Sequence, residues 1–368
     1  MPAEGFPRTQ FPIAMTATAY TLIVFFLFLI TALIPRNPQP YTVPPVGKSP
    51  YVLLILATIF MLPVIPSGDK LQYEHIFEHI FDQNVTLEKD FGWTIYTKIG
   101  HFITSGNTQL YFFITALIFV LGYTQFIRHY IPKSYRWYFA LLVFGSIGFL
   151  AGGTNILRAG MSASIFMAAL TRYDKPKVFV PLCFVALSLH LSMILPIVTF
   201  VLTRYYAKPK QYILIWCFFL VLSMLNATEF MQDYVSEASS ITDSRLSEYI
   251  RHEDEEIAEI YTNAGFRTDF VLYSLFPILC GAFFIFRHGL HDRFYTRIFC
   301  MYIATNCFWL CVIRVPFGDR FALLSWIFAP FIVLYPLLNY KMLREQTKWA
   351  YAIMFLLLIV PVMLAEYS

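Results

Sequence analysis

The sequence predicts an all-α, polytopic integral membrane protein with about 11 to 12 membrane segments and two long connections on one face. Three observations carry that expectation. Apolar residues make up 58% of the 368 and charged residues only 14%, too greasy a balance for a water-soluble domain of this size. Apolar runs recur along the whole chain, most of them near the roughly 17 to 25 residues that a helix needs to cross a hydrocarbon core. Lysine and arginine gather in short connections between those runs.

In chain order the apolar segments lie at 12–34, 50–66, 108–127, 136–152, 156–171, 177–203, 211–230, 270–286, 297–313, 321–340 and 348–365. The first follows a head containing Pro2, Pro7 and Pro12 and has no small-residue cleavage site after it, so it is expected to be a retained span. All six cysteines (Cys183, Cys217, Cys280, Cys300, Cys307 and Cys311) fall within apolar segments and none forms a CxxC pair. Disulfides, a metal site and a bound cofactor are therefore not expected. A net charge of +4, scattered along the chain, gives no reason to expect a nucleic-acid partner.

The connections "RNPQPYTVPPVGK", "RHYIPKSYR", "RYDKPK", "RYYAKPK", "RHGLHDRFYTR" and "KMLREQTK" hold two Lys or Arg in the first and three in each of the others, seventeen of the 27. Of 23 acids only Asp174, Asp292 and Glu345 fall among them. The bias against translocating positive charge places all six on the cytoplasmic side. One segment separates "RYDKPK" from "RYYAKPK", so the chain has to reverse within 177–203. That stretch holds Ser188, His190 and Ser192 at its centre with Pro181 and Pro196 as breakers, which predicts a hairpin turning near His190. The alternative is one long tilted helix. With the hairpin there are twelve membrane segments and both termini face outside.

Two long connections then share the outer face of a single transmembrane domain, 67–107 and 231–269. The first carries "EHIFEHIF" and "WTIYTKIGHFI", whose apolar spacing suits interfacial helices. The second contains "SRLSEYIRHEDEEIAEIY", expected to form a solvated charged helix.

Ionisable residues close to apolar cores are costly unless a cavity or partner faces them. On this topology Arg158, Arg267, Arg314 and Arg320 all lie at outer span ends, with His190 at the outer turn and Asp69 and Tyr73 just beyond the second span. Guanidinium groups clustered at that depth suit a lipid-linked pyrophosphate, whose oxygens they hold in a two-pronged geometry. The competing reading has them snorkelling to headgroups or pairing with nearby acids, His190 bonded within its own hairpin and Asp69 capping a helix.

"SGDKLQYEHIF", "EKDFGWTIYTKI", "NILRAGMSASIFMAAL" and "LSLHLSMILPI", in that order, resemble the EpsG family of Wzy-type polysaccharide polymerases, and "GFRTDFVLYSLFPIL" and "VIRVPFGDRFALLSWIFAP" are similar to later parts of such enzymes. The resemblance spans roughly 50–335. Its motif positions are Asp69 and Tyr73, Asp90 before Gly92 and Trp93, Asn155 and Arg158, and His190 and Ser192. The sequence departs from the pattern at Ala159, where Gln is usual.

The resemblance implies a glycosyltransferase of the bacterial inner membrane. Such an enzyme joins undecaprenyl-pyrophosphate-linked oligosaccharide units at the periplasmic face, surrounded by membrane lipids and in some systems by a chain-length regulator, en route to O-antigen, capsule or exopolysaccharide. Arg158, with Arg267, Arg314 and Arg320, would stabilise the departing pyrophosphate without a metal; Asp69 or Asp90, then His190, would take the acceptor proton; Tyr73, Asn155 and Ser192 would bind substrate. Trp93, Tyr96 and Tyr261 are further candidates for sugar contact, or mark an interface belt. A lipid-oligosaccharide flippase and a membrane sugar O-acetyltransferase remain as alternatives.

Overall fold

The computed structural model describes residues 16–34, 39–81, 90–228, 266–315 and 318–364. Among them every regular element is helical and no strand occurs. The helices are α1 (Ala17–Leu33), α2 (Lys48–Met61), α3 (Gly68–Glu78), α4 (Phe91–Thr104), α5 (Thr108–Tyr130), α6 (Arg136–Phe144), α7 (Ile147–Thr154) and α8 (Leu157–Leu170). They are followed by α9 (Pro176–Leu189), α10 (Ile194–Leu202), α11 (Pro209–Met224), α12 (Thr268–Ala282), α13 (Arg293–Cys311), α14 (Asp319–Trp326), α15 (Ala329–Asn339) and α16 (Gln346–Leu364). Each apolar segment read from the sequence is thus largely helical over its described residues.

Among the described residues four helical stretches are long and apolar enough to cross a membrane: Thr108–Tyr130, Thr268–Arg287, Arg320–Asn339 and Gln346–Met363. The number rises to six if two bent pairs each count as one span, and the remaining apolar helices are shorter. One of those pairs is α6 and α7, which bend by 61°. The sequence reads 136–152 as one continuous span, but Gly145 and Ser146 interrupt it. A Cβ on Gly145 would run into Leu358 and Val24, and the Ser146 side chain accepts from the Phe149 N–H to start the next helix.

The 177–203 segment reverses direction. A straight helix would hold Phe179 and Phe200 about 30 Å apart, yet their rings lie 6.0 Å apart, and Tyr173 is also 6.0 Å from Phe200. The chain leaves α9 at His190, in extended conformation, and re-enters through a 3₁₀ turn, Leu191–Met193. Ser162 of α8 donates to the Ala186 carbonyl and fastens α9 to its neighbour.

The six basic connections meet at one end of the bundle. The Val46 N–H donates to the Ser134 carbonyl, the Tyr41 N–H to that of Arg344, and the Tyr138 hydroxyl to that of Pro44. Tyr130 donates to the Leu170 carbonyl and stacks on Phe294 at 4.2 Å. Arg297 donates to the Phe200 carbonyl at the close of α10, and Tyr335 and Tyr340 both donate to Asp292 at 2.7 Å.

α13 and α15 form the buried centre, whereas α11 buries only Trp216 and Ser223. One polar cluster ties these layers. Trp216 Nε1 donates to Asn306 Oδ1, Asn306 Nδ2 donates to Ser274 and Ser325, and Trp326 Nε1 also reaches Ser274. With these bonds made, the buried amide and both indoles are satisfied within the apolar interior.

Candidate functional site

At the end opposite the basic connections, Asp90 joins three elements. It is the N-cap residue of α4, a place where Asp ordinarily accepts from a first-turn N–H. Here its side chain caps nothing and reaches across to α8 and the hairpin turn. Arg158 Nη1, in the first turn of α8, donates to Asp90 Oδ2 at 2.9 Å. His190 Nδ1 approaches the same oxygen at 3.2 Å, and the Leu191 N–H donates to Oδ1 at 3.2 Å. The residues are 68 and 100 positions apart.

Local sequence explains the convergence. Gly92 lets α4 cross the end of α9 closely, since a Cβ there would lie 2.7 Å from the Ser188 carbonyl carbon. Gly160 and Gly152 give α7 and α8 the same close approach. Beneath the polar groups Tyr73, Trp93, Leu157 and Leu189 form one buried apolar cluster. Leu157 and Leu189 immediately precede Arg158 and His190, so the packing that buries one residue aims the next.

Burial would push the Asp90 carboxyl up, but the His190 hydrogen bond and charge, the Arg158 guanidinium and the Leu191 N–H outweigh it and hold the group below the usual carboxylate value. Asp90 is therefore ionised and accepts on both oxygens. Because a carboxylate only accepts, His190 Nδ1 carries the proton in that contact, and whenever the ring gives up its other proton Nε2 becomes its acceptor nitrogen. His190 is 28% exposed at the side chain against 7% for Asp90, so the imidazole is the more accessible of the two.

A second acid–base pair lies close by. Arg320 at the start of α14 donates to Asp69 Oδ2 at 3.1 Å. Ser67, not Asp69, caps α3, by accepting from the Lys70 N–H, which corrects the helix-capping reading of Asp69. The Ser67 hydroxyl also donates to the Thr154 carbonyl, four residues before Arg158, and so ties this pair to the α7–α8 junction.

The remaining predicted residues divide. Tyr73 is buried, its ring edge-on to Trp93 at 5.5 Å. Asn155 ends α7 with its side chain exposed, and Ser192 lies in the 3₁₀ turn beside His190. Arg267 pairs with Asp269 at 2.7 Å and stacks on Phe270. Arg314 lies over the Phe266 ring at 5.5 Å, with its Nε buried and without a hydrogen-bond partner among the described residues. Arg158 thus meets Asp90, Arg320 meets Asp69, Arg267 meets Asp269, and Arg314 lies over an aromatic ring. Trp93 is 1% exposed, so it supports the site from below and offers no open face to a sugar. Tyr96 bonds Thr115, while Tyr261 and most of 231–269 lie outside the described residues. Among the described residues no group of three His, Cys, Asp or Glu is arranged to hold a metal ion.

Sequence reasoning missed Lys70. It is 7% exposed and donates to the Pro63 and Ile65 carbonyls left open where α2 breaks, with Phe112 4.9 Å from its ammonium. Its only advance signal is a lysine about one turn after Pro66 and two after Pro63, where carbonyls lose their helical donors.

The EpsG family model matches residues 49–367. The chain belongs to the EpsG family. This is a family of Wzy-type, exopolysaccharide-polymerase-like membrane proteins, so the Asp90, Arg158 and His190 contacts belong to a membrane protein of polysaccharide-polymerase type. No curated protein and no solved structure matches the chain.

Proposed function

We propose that this EpsG-family chain is a glycosyltransferase that polymerises undecaprenyl-pyrophosphate-linked oligosaccharide units at the periplasmic face of the bacterial inner membrane. It crosses the membrane in twelve segments, counting α6–α7, α9, α10 and α14–α15 as four of them. The observation that carries the reading is the Asp90 carboxylate shared by Arg158 and His190 at the end away from the basic connections.

The growing chain on its carrier is the donor, and a hydroxyl of the incoming lipid-linked unit attacks its anomeric carbon. The bond from that carbon to the pyrophosphate oxygen breaks as the new glycosidic bond forms. His190 Nε2 takes the hydroxyl proton, and Asp90 steadies the resulting imidazolium through Nδ1. Asp90 is a poor base itself, because three donors already hold its ionised form. Asp69, occupied by Arg320, is less suited than His190 for the same reason. Arg158 meets the negative charge that develops on the leaving pyrophosphate, where a preorganised cation acts most strongly. Arg267, Arg314 and Arg320 are proposed to hold further phosphate or sugar groups around that centre, with Tyr73, Asn155 and Ser192 shaping its edges.

Purified protein incubated with a synthetic lipid-pyrophosphate repeat unit should yield a ladder of chain lengths on a sugar gel. Arg158→Ala should still insert but leave single units, with the rate down on the order of 10²- to 10³-fold, the cost of losing one such charge-stabilising donor. A normal ladder from the Arg158→Ala protein would remove Arg158 from the mechanism.

A further inference from the structure

The exposed faces of α4 and α9 run directly into the Asp90 and His190 positions. On α9 Val180 and Phe184 share one helical face, Leu191 lies in the turn that follows, and the three are 60%, 62% and 54% exposed. From Val180 to the end of α9 at Leu189 the helix rises about 14 Å, just under half the thickness of a hydrocarbon core. On α4, Phe91, Ile95 and Ile99 recur at four-residue spacing and are also exposed, and the Phe91 ring lies 6.2 Å from that of Phe184. Phe91 follows Asp90 in the chain, and Leu191 follows His190 and donates its amide to Asp90. Apolar surface therefore begins where the polar contacts end. Ser188, the polar residue at the helix crossing, donates its hydroxyl to the Val185 carbonyl within its own helix. Lys98 is the charged residue on the outer side of α4, two turns from Asp90, and long enough to reach headgroups.

We propose that this seam between α4 and α9 is the track along which the polyprenyl chain of the carrier lies, so that substrate enters sideways from the bilayer with its pyrophosphate at Arg158. The proposal rests on the polymerase reading above and adds the path of the lipid to it. A pyrophosphate held at Arg158 has to pass its tail into lipid without burying its own charge. The α4–α9 seam does this because its apolar side chains are covalent neighbours of the residues that hold the head. Bulk phospholipid covers the other exposed helix faces, among them that of α11, where Leu214 is 68% exposed.

The test places a benzophenone amino acid at Ile95, at Phe184 or, as the comparison position, at Leu214. Each full-length protein is irradiated in vesicles with radiolabelled undecaprenyl pyrophosphate. Labelling at 95 and 184 should exceed that at 214 by about tenfold. It should fall on addition of unlabelled undecaprenyl pyrophosphate and be unaffected by an equal excess of phosphatidylglycerol. Equal labelling at all three positions, or loss of label to phosphatidylglycerol, overturns the seam and leaves bulk lipid as its occupant. Chain extension by the unsubstituted protein is measured with the same carrier bearing a repeat unit. Extension without selective labelling sinks the seam alone, and selective labelling without extension upholds the track while sinking the polymerase reading.

Discussion

Asp90 accepts from Arg158, from His190 and from the Leu191 amide, and each donor reaches it from a different part of the chain. Replacing it by Asn keeps the shape but removes the charge, and the new amide opposes donors with a donor. Activity of Asp90→Asn should fall on the order of 10²- to 10⁴-fold, the range for disrupting an oriented general base. The folded-state carboxyl is held below its ordinary value, so its contribution to stability is complete above the unfolded carboxylate range and is lost as pH falls through the depressed value. Melting in detergent from pH 6 down to about pH 3 should show the wild type losing stability at the acid end and Asp90→Asn losing less. Equal slopes would place the acid sensitivity elsewhere. The motifs pointed to Asp90, Arg158 and His190 separately, but that the first holds the other two was not legible, since nothing in a sequence pairs residues 68 and 100 positions apart. The pairing of Asp69 with Arg320 across 251 positions was hidden for the same reason.

At the scale of elements, the hairpin turns on a crossing with no room for a side chain. Gly92→Ala would set a methyl 2.7 Å from the Ser188 carbonyl carbon, and α4 would have to shift away from α9, carrying Asp90 with it. Such overpacking typically costs about 1–3 kcal/mol. Gly92→Ala should therefore lower the melting temperature and reduce chain extension, as read by thermal melts and by the sugar-gel ladder. Adding Ser188→Gly should not restore either, because the clash with backbone remains. Full recovery in that double variant would mean that the Ser188 hydroxyl alone set the spacing. The reversal at His190 was legible because charge bias demands it and the breakers flank it. The bend at Gly145 and Ser146 was not. A single glycine in an apolar run is ambiguous, and only the side chains of Val24 and Leu358, brought in from distant helices, show why that position has to be glycine.

Across the whole molecule, two features were unequally visible in the sequence. The Trp216, Asn306, Ser274, Ser325 and Trp326 cluster fastens α11, α12, α13 and α14 to one another, yet these residues look like scattered polar atoms in apolar segments. Asn306→Leu would leave the Trp216 N–H without its acceptor, at a cost of about 1–2 kcal/mol for such bonds within membranes. Its melting temperature should fall, and α11, which packs against α13 and buries only Trp216 and Ser223 fully, should become the first helix to open to protease or exchange. The other feature, the polarity of the bundle, was largely written in the charges. The basic connections do meet at one end, while Asp69, Asp90, Arg158 and His190 sit at the other, and the bias against exporting positive charge predicts that the first end faces the cytoplasm. After replacement of the six native cysteines, single cysteines at Asp174 and at Asn107 should report opposite sides. A membrane-impermeant maleimide added to spheroplasts should label the residue 107 thiol at once and the residue 174 thiol only after lysis. Labelling of residue 174 in intact spheroplasts would invert the protein and carry His190 to the cytoplasmic leaflet. Transfer from a lipid carrier on the outer face could then no longer be assigned to this cluster of residues.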